Sequence, residues 1–223
     1  MKQRSDESGA AFVATIAPNK ASIYFEDVPK QFGSPSEVNF LNLTMANPEN
    51  KRMGLINIKP KLLSRKNQAK LYYKTDTHWT PKGAFITYQL LMRRLQQTRP
   101  DIEIIEPSDL KRKPIKNFKG DLLKYGSFED VSENFDDFTI LKKDRSETDA
   151  SKKNGPLKIV LIGDSYSHAY IKFLKPSFDH VIFIHHDNGA FDIDEVFSHK
   201  PDAVIFTIVE RFSEKVANAA IEN

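Results

Sequence analysis

Lys158-Ile159-Val160-Leu161-Ile162-Gly163-Asp164-Ser165-Tyr166-Ser167 carries the reading of the fold. Its apolar residues follow one another without alternation until a glycine ends the run and polar side chains begin. A strand-length run of this kind is buried on both faces, as in a parallel sheet covered by helices. Val181-Ile182-Phe183-Ile184 and Ala203-Val204-Ile205-Phe206-Thr207-Ile208 repeat the pattern. Helical segments near Ser167 to Leu174 and Ile193 to His199 fall between them. Strand, helix, strand, helix, strand predicts an α/β fold with right-handed crossovers and a mostly parallel central sheet. Ligands of such sheets bind at the carboxyl ends of the strands. Ser165, His185, His186 and Glu210 fall at those ends.

Upstream, Tyr73-Lys74-Thr75-Asp76-Thr77-His78-Trp79-Thr80-Pro81 is the second informative stretch. Thr80 has N-cap chemistry, and Pro81 suits the first helical position, where its missing N–H costs nothing. The helix should run through Ala84, Ile86, Leu90, Leu91 and Leu95 and end before Arg99-Pro100. Asp76 and His78 therefore sit in a turn fixed by a rigid helix behind it. Elsewhere, Ala11 to Ala17, Gly54 to Ile58, Ile102 to Ile105 and Phe138 to Leu141 read as strands. Phe40 to Leu43 reads as a short helix broken at Asn47-Pro48, and Leu62 to Lys70 as another helix. Residues 143–156 are polar and aperiodic and read as an exposed loop. The whole chain, 1–223, reads as one domain, long enough to bury a core without disulfides.

Bulk composition narrows the function classes. There is no cysteine, so disulfides, thiolate metal sites and a cysteine nucleophile are excluded. No run of about 18 apolar residues is present, and the charged start Met1-Lys2-Gln3-Arg4 shows no signal peptide. The net charge of +3 is too small to imply nucleic acid. The densest basic run, Lys111-Arg112-Lys113-Pro114-Ile115-Lys116-Asn117-Phe118-Lys119, reads either as a solvated loop or as a patch facing a polymeric or anionic substrate.

A serine hydroxyl needs a base within hydrogen-bond reach, and the base needs a third group to hold its tautomer. Ser165, after a strand and before a helix, is the candidate nucleophile. His78 is the candidate base, Asp76 its orienting carboxylate, and Trp79 a candidate pocket wall. Each piece alone has a plainer explanation: a capped turn for Gly163-Asp164-Ser165, a local hydrogen bond for Asp76 and His78. Tyr166 and Tyr170 would stack on substrate or pack in the core. His168 would line the pocket or stay a surface histidine. His185-His186-Asp187 suggests a metal, but neighbouring strand residues point apart, so no metal is expected there. No cofactor is expected either.

Thr75-Asp76-Thr77-His78-Trp79-Thr80-Pro81 resembles the Asp-x-His-Trp motif of the SGNH-hydrolase-like alginate O-acetyltransferases, the AlgX/AlgJ group. Gly163-Asp164-Ser165-Tyr166-Ser167 is similar to their nucleophile motif, Glu210-Arg211-Phe212 to a Glu-Arg-aromatic segment, and Gly120-Asp121-Leu122 to a Gly-Asp-Leu element. Ala17-Pro18-Asn19-Lys20 looks like the family's first strand and turn. The resemblance implies an SGNH-like three-layer α/β/α sandwich. It also implies a Ser165-His78-Asp76 triad that transfers acetyl groups through a serine acyl-enzyme to hydroxyls of an extracellular or cell-wall polysaccharide. It implies a membrane-bound O-acyltransferase as donor partner and an extracytoplasmic setting, the signal or membrane anchor being absent from this chain. Arg211 would contact substrate, and Gly120 would offer a backbone N–H to the oxyanion. Two alternatives stay open: a carbohydrate acetylesterase with the same triad, and a non-catalytic glycan-binding component of a secretion system.

Overall fold

The computed structural model describes residues 1–223 except 35, 37, 38, 127–129, 150–154 and 220–223, and the side chains of 215–219. The strands are β1 (Ala11–Ala17), β2 (Leu55–Ile56), β3 (Leu110–Phe118), β4 (Glu133–Ile140), β5 (Lys158–Gly163), β6 (His180–His185) and β7 (Ala203–Val209). The helices are α1 (Lys2–Ser8), α2 (Lys20–Ile23), α3 (Phe40–Ala46), α4 (Pro48–Arg52), α5 (Lys59–Arg65), α6 (Pro81–Gln96), α7 (His168–Leu174), α8 (Ile193–Ser198) and α9 (Glu210–Ala219).

Five strands form one sheet in the order β2-β1-β7-β5-β6. Every pairing in it is parallel. The apolar runs that predicted buried strands are β5, β6 and β7, and β7 lies at the centre. Alternate residues face opposite ways. Ile159, Leu161, Ala203 and Ile205 pack with Phe85, Tyr88 and Leu91 of α6 and with Tyr170 and Phe173 of α7. Val160, Ile162 and Val204 pack with Val196 of α8 on the other side, and Ile16 and Ile208 with Leu41 of α3. Helices cover both faces, which makes the α/β/α layering expected from the sequence.

Local signals fixed the element boundaries well where capping chemistry was present. The Thr80 hydroxyl accepts from Gly83 N–H, and Pro81 stands in the first turn of α6. Asn47 ends α3 and its side chain caps α4, where Pro48 is the first residue. Three expectations need correction. Ile102 to Ile105 is not a strand: Ile102 and Ile105 are buried against the core, and the Ile105 N–H donates to the Tyr88 hydroxyl. The helix expected from Leu62 to Lys70 spans Lys59–Arg65 instead, with Pro60 in its first turn, where a missing N–H costs nothing. The basic run is not a loop. It forms β3, paired antiparallel with β4, with Lys113 opposite Asp137 and Pro114 opposite Asp136. Both its faces are largely solvated, so it lacks the apolar run or alternation that marks a strand.

The described part of 143–156 is mostly exposed, as expected, but it is anchored. Arg145 is buried, with its Nε 2.9 Å from Asp179 Oδ2 and its main-chain N–H on Lys175 O. The rest of that segment, 150–154, lies outside the described residues.

Candidate active site

The nucleophile turn is held by regular structure. Gly163 closes β5, and Ser165–Ser167 form a single 3-10 turn leading into α7. Asp164 is buried, and its two oxygens are both used. Oδ1 accepts from Tyr166 N–H at 2.9 Å and Oδ2 from Val209 N–H at 2.7 Å. One carboxylate thus caps the turn and ties it to the end of β7. Ser165 is left exposed at the carboxyl end of the sheet.

The base lies on a different kind of support. Tyr72 and Trp79 form an isolated antiparallel bridge, closed by Tyr73 N–H to His78 O and Thr80 N–H to Leu71 O. Residues 74–77 are the tip of this tight turn. Asp76 Oδ1 accepts from the His78 main-chain N–H at 2.9 Å and stands 2.6 Å from His78 Nδ1. A carboxylate accepts, so Nδ1 carries the proton and Nε2 is left as an acceptor. Ser165 Oγ lies 2.8 Å from Nε2. The three residues the sequence singled out, far apart in the chain, thus form one continuous hydrogen-bonded line.

Burial alone would push the Asp76 carboxyl up. Hydrogen bonds from the His78 backbone and ring and from Asp121 N–H outweigh it and hold the group below its usual range. The charged form needed to orient His78 is therefore the favoured one.

The turn is also fastened from outside. Glu133 of β4 accepts through Oε1 from both the N–H and the hydroxyl of Thr75, at 2.7 and 2.8 Å. Lys70 stands 3.0 Å from its other oxygen. Lys20 donates to the carbonyls of Tyr73, Lys74 and Asp76. Asp121 accepts from Thr77 N–H and Oγ–H and returns its own N–H to Asp76 Oδ2. Glu133, Lys20 and Asp121 were not singled out as functional from sequence. The Gly120-Asp121-Leu122 and Ala17-Pro18-Asn19-Lys20 stretches marked the neighbourhoods of Asp121 and Lys20 without giving either a role, and nothing sets Glu133 apart from other charged residues.

The remaining candidates are redistributed. Trp79 does not wall a pocket: it is 1% exposed, and its Nε1–H donates to Tyr166 O at 2.9 Å, tying the base turn to the nucleophile turn. Tyr166 is equally buried and so is not a stacking platform. Its hydroxyl donates to Thr77 O, and its ring lies 4.8 Å from that of His78. Gly120 has no N–H to offer an oxyanion, because that N–H donates to Thr75 Oγ1 at 3.1 Å. The glycine is needed for space: a Cβ there would lie 2.2 Å from Thr75 O.

Arg211 is exposed, with its guanidinium 5.4 Å over the Tyr166 ring and Nη1 3.5 Å from Asn19 Oδ1. It does not pair with Glu210, which accepts from Asn19 N–H and the Ser22 hydroxyl. Tyr170 is core, and His168 is exposed one turn beyond Ser165. His186 is buried between Thr207 O and Gly189 N–H, while His185 is exposed. The two histidines do not converge. Donor atoms of Asp76, His78 and Asp121 do lie within 4.8 Å of one another. The hydrogen bonds above already engage every one of them, so the cluster reads as a hydrogen-bonded network.

Away from the triad, grooves of about 560 and 450 Å³ share Lys82 and Arg112, and Lys61, Arg65, Lys70 and Lys116 extend their basic lining. Burial, with the charges of Arg112 and Arg65, pushes the Lys82 ammonium down from its usual range.

A parallel sheet between helix layers, with a strand-end serine and a histidine-carboxylate pair from a separate turn, defines the SGNH-hydrolase-like class. Residues 2–195 match the SGNH hydrolase-like domain of the acetyltransferase AlgX, and the chain belongs to this family of acetyltransferases. No curated protein matches it in sequence. It is similar in fold to the O-acetyltransferase domain of Pseudomonas putida AlgJ, with 18% identity, TM-score 0.62, and coverage of 95% of this chain and 78% of that one. Bacillus cereus PatB1 is similar at 17% identity and TM-score 0.61, over 94% and 86% of the two chains. A DHHW family protein from Eubacterium siraeum gives 16% and 0.63, over 90% and 78%.

Proposed function

We propose that the protein moves acetyl groups to hydroxyls of a polysaccharide through an acyl-enzyme on Ser165. The observation that carries this is the unbroken line Asp76 Oδ1, His78 Nδ1, His78 Nε2, Ser165 Oγ, with links of 2.6 and 2.8 Å. As Oγ attacks the acetyl carbonyl of a donor, its proton passes to Nε2. Collapse of the tetrahedral intermediate breaks the bond to the donor's leaving group, which takes that proton. A sugar hydroxyl then gives its proton to Nε2 and attacks the acetyl carbonyl. Ser165 departs and recovers the proton. Asp76 holds the ring and balances the imidazolium charge throughout.

Membership of the AlgX family supports a polysaccharide acceptor and an extracytoplasmic setting, and by the same resemblance a membrane-bound O-acyltransferase supplies the acetyl group. No described helix is long and apolar enough to cross a membrane. Arg211, at the rim beside Tyr166, is assigned a substrate contact. The basic grooves suit an acidic polymer. Hydrolysis is the second reading, and it is favoured by the exposure of Ser165, which lets water reach an acyl group there.

The test is intact mass after mixing with an activated acetyl ester, with and without an acceptor glycan. The parent should gain one acetyl group or turn the ester over, and Ser165→Ala and His78→Ala should do neither. Acetyl appearing on the glycan establishes transfer, and release only as acetate establishes the esterase. A parent that is never acetylated and turns over no ester overturns both, and leaves glycan binding as the function.

A further inference from the structure

The triad does not use one acidic side chain that reaches it. Asp121 Oδ2 lies 3.8 Å from His78 Nδ1, the same nitrogen that Asp76 holds at 2.6 Å. Its carboxylate is neither loose nor peripheral. Oδ1 accepts from Thr77 N–H at 2.8 Å, and Oδ2 from Thr77 Oγ–H at 2.7 Å. Thr77 Oγ1 is itself 3.5 Å from Nδ1, and Asp121 N–H donates to the free oxygen of Asp76 at 3.0 Å. The two carboxylates thus flank one imidazole edge and lock each other in place.

From this geometry we infer that Asp121 is a positioning residue for His78, a second carboxylate that stabilises the imidazolium formed when Ser165 gives up its proton. The inference rests on the acetyl-transfer reading of the site, though its main readout does not. A hydrogen-bonding role alone would not need a charge: an amide could accept from Thr77 N–H and donate to its hydroxyl. What an amide cannot supply is a negative charge 3.8 Å from Nδ1, just beyond hydrogen-bond range and close enough for charge to act in a partly buried site.

Other charges face this imidazole. Asp76 is the first. Lys20 lies behind the turn, with its charge acting on Asp76, Asp121 and Glu133 together. The Tyr166 ring packs 4.8 Å from the imidazole, the Arg211 guanidinium lies over Tyr166, and Asp164 accepts from the Tyr166 N–H. Arg211 and Lys20 oppose the imidazolium while Asp76 and Asp121 favour it, so removing either acid should shift the balance in the same direction.

The experiment is Asp121→Asn, followed by the pH titration of the His78 ring by NMR, with the resonance assigned by its loss in His78→Gln. The titration midpoint should move to lower pH, because a negative charge 3.8 Å from Nδ1 is removed. In the acetyl-ester assay the acid limb of the kcat/KM profile should move down equally. The plateau kcat should fall several-fold, with KM for the ester little changed. Asp121→Glu should restore part of the midpoint shift, which a purely steric role would not predict. A titration midpoint and acid limb that stay where they are in Asp121→Asn overturn the proposal, whatever happens to the rate. Because the NMR readout needs no turnover, a parent that fails to acetylate would refute the acetyl-transfer reading while still deciding whether Asp121 charges the ring.

Discussion

The two halves of the proposed triad are held by opposite means. Ser165 is placed by regular structure: the end of β5, a 3-10 turn, α7 behind it, and Asp164 stitching the turn to β7. His78 and Asp76 sit in a turn of eight residues closed by one bridge and fastened by polar groups from four separate places, Lys20, Lys70 with Glu133, Gly120 and Asp121. The first arrangement draws its rigidity from buried apolar area, the second from satisfied hydrogen bonds in a half-buried setting. A nucleophile must only stand in one spot. A base must hold one tautomer through a change of charge, and a polar cage can respond to that charge where an apolar one cannot.

This difference also explains what could be read from the sequence. Strands β5 and β7 announce themselves because burial on both faces demands continuous apolar runs, and α6 because Thr80 and Pro81 have capping chemistry. Ser165, His78 and Asp76 were legible because each follows or precedes such an element. The cage was not legible. Glu133 acts from a hairpin whose strand β3 is largely solvated, and its role depends on a contact with Thr75 across 58 positions. Charged residues at that separation carry no pattern in one dimension. Trp79 was misread for the opposite reason: an aromatic ring beside a candidate catalytic motif suggests a substrate wall, whereas here it forms, with Tyr166, the buried joint between the two turns.

Two glycines separate the turns most clearly. A Cβ on Gly120 would lie 2.2 Å from Thr75 O and 2.5 Å from Asp76 Cβ, so Gly120→Ala must push the base turn away. Because the obstacle is main chain, no single neighbour can yield. A displacement approaching 1 Å costs on the order of 100-fold in rate, and overpacking costs about 1–3 kcal/mol. On the other side, a Cβ on Gly163 would meet Ser167 Oγ at 2.0 Å and Ser167 Cβ at 2.6 Å, both side-chain atoms, with the next neighbour 3.6 Å away. Gly163→Ala should damage turnover comparably, but adding Ser167→Gly should recover much of it. Ester turnover and melting temperature of the four proteins check this. If Gly120→Ala keeps near-parental turnover, the base turn is looser than its hydrogen bonds imply.

The cage should also be the acid-sensitive half. Burial would raise the Glu133 carboxyl, but hydrogen bonds from the Lys74 and Thr75 N–H groups, the Thr75 hydroxyl and Lys70 outweigh it, and the group is held below its usual value of 4.5. A carboxylate lowered on folding contributes stability that is complete above that value and is lost as pH falls through its folded value. Asp76 adds to the loss in the same direction, below 3.8. Glu133→Gln keeps an acceptor for Thr75 but no charge. It should cost about 1–2 kcal/mol at pH 7 and then lose less stability than the parent between about pH 5 and 3. Denaturant unfolding at several pH values measures both slopes. Parallel slopes in parent and variant would mean that folding does not lower the Glu133 carboxyl, so these bonds do not favour its charged form.

At the joint between the two turns a lost hydrogen bond should matter less. Trp79 belongs to the base turn, and its Nε1–H reaches the carbonyl of Tyr166 in the nucleophile turn. Trp79→Phe keeps most of the buried ring and removes that donor, leaving a buried carbonyl unpaired at a cost of about 1–2 kcal/mol. If the two halves are rigid separately, His78 and Ser165 still meet and turnover changes less than about threefold while the melting temperature falls. If the joint sets their 2.8 Å separation, kcat should fall further than stability alone explains, with KM for a small acetyl ester unchanged. The Tyr166 hydroxyl still grips Thr77 O from the other direction, and that second tie across the joint favours the first outcome.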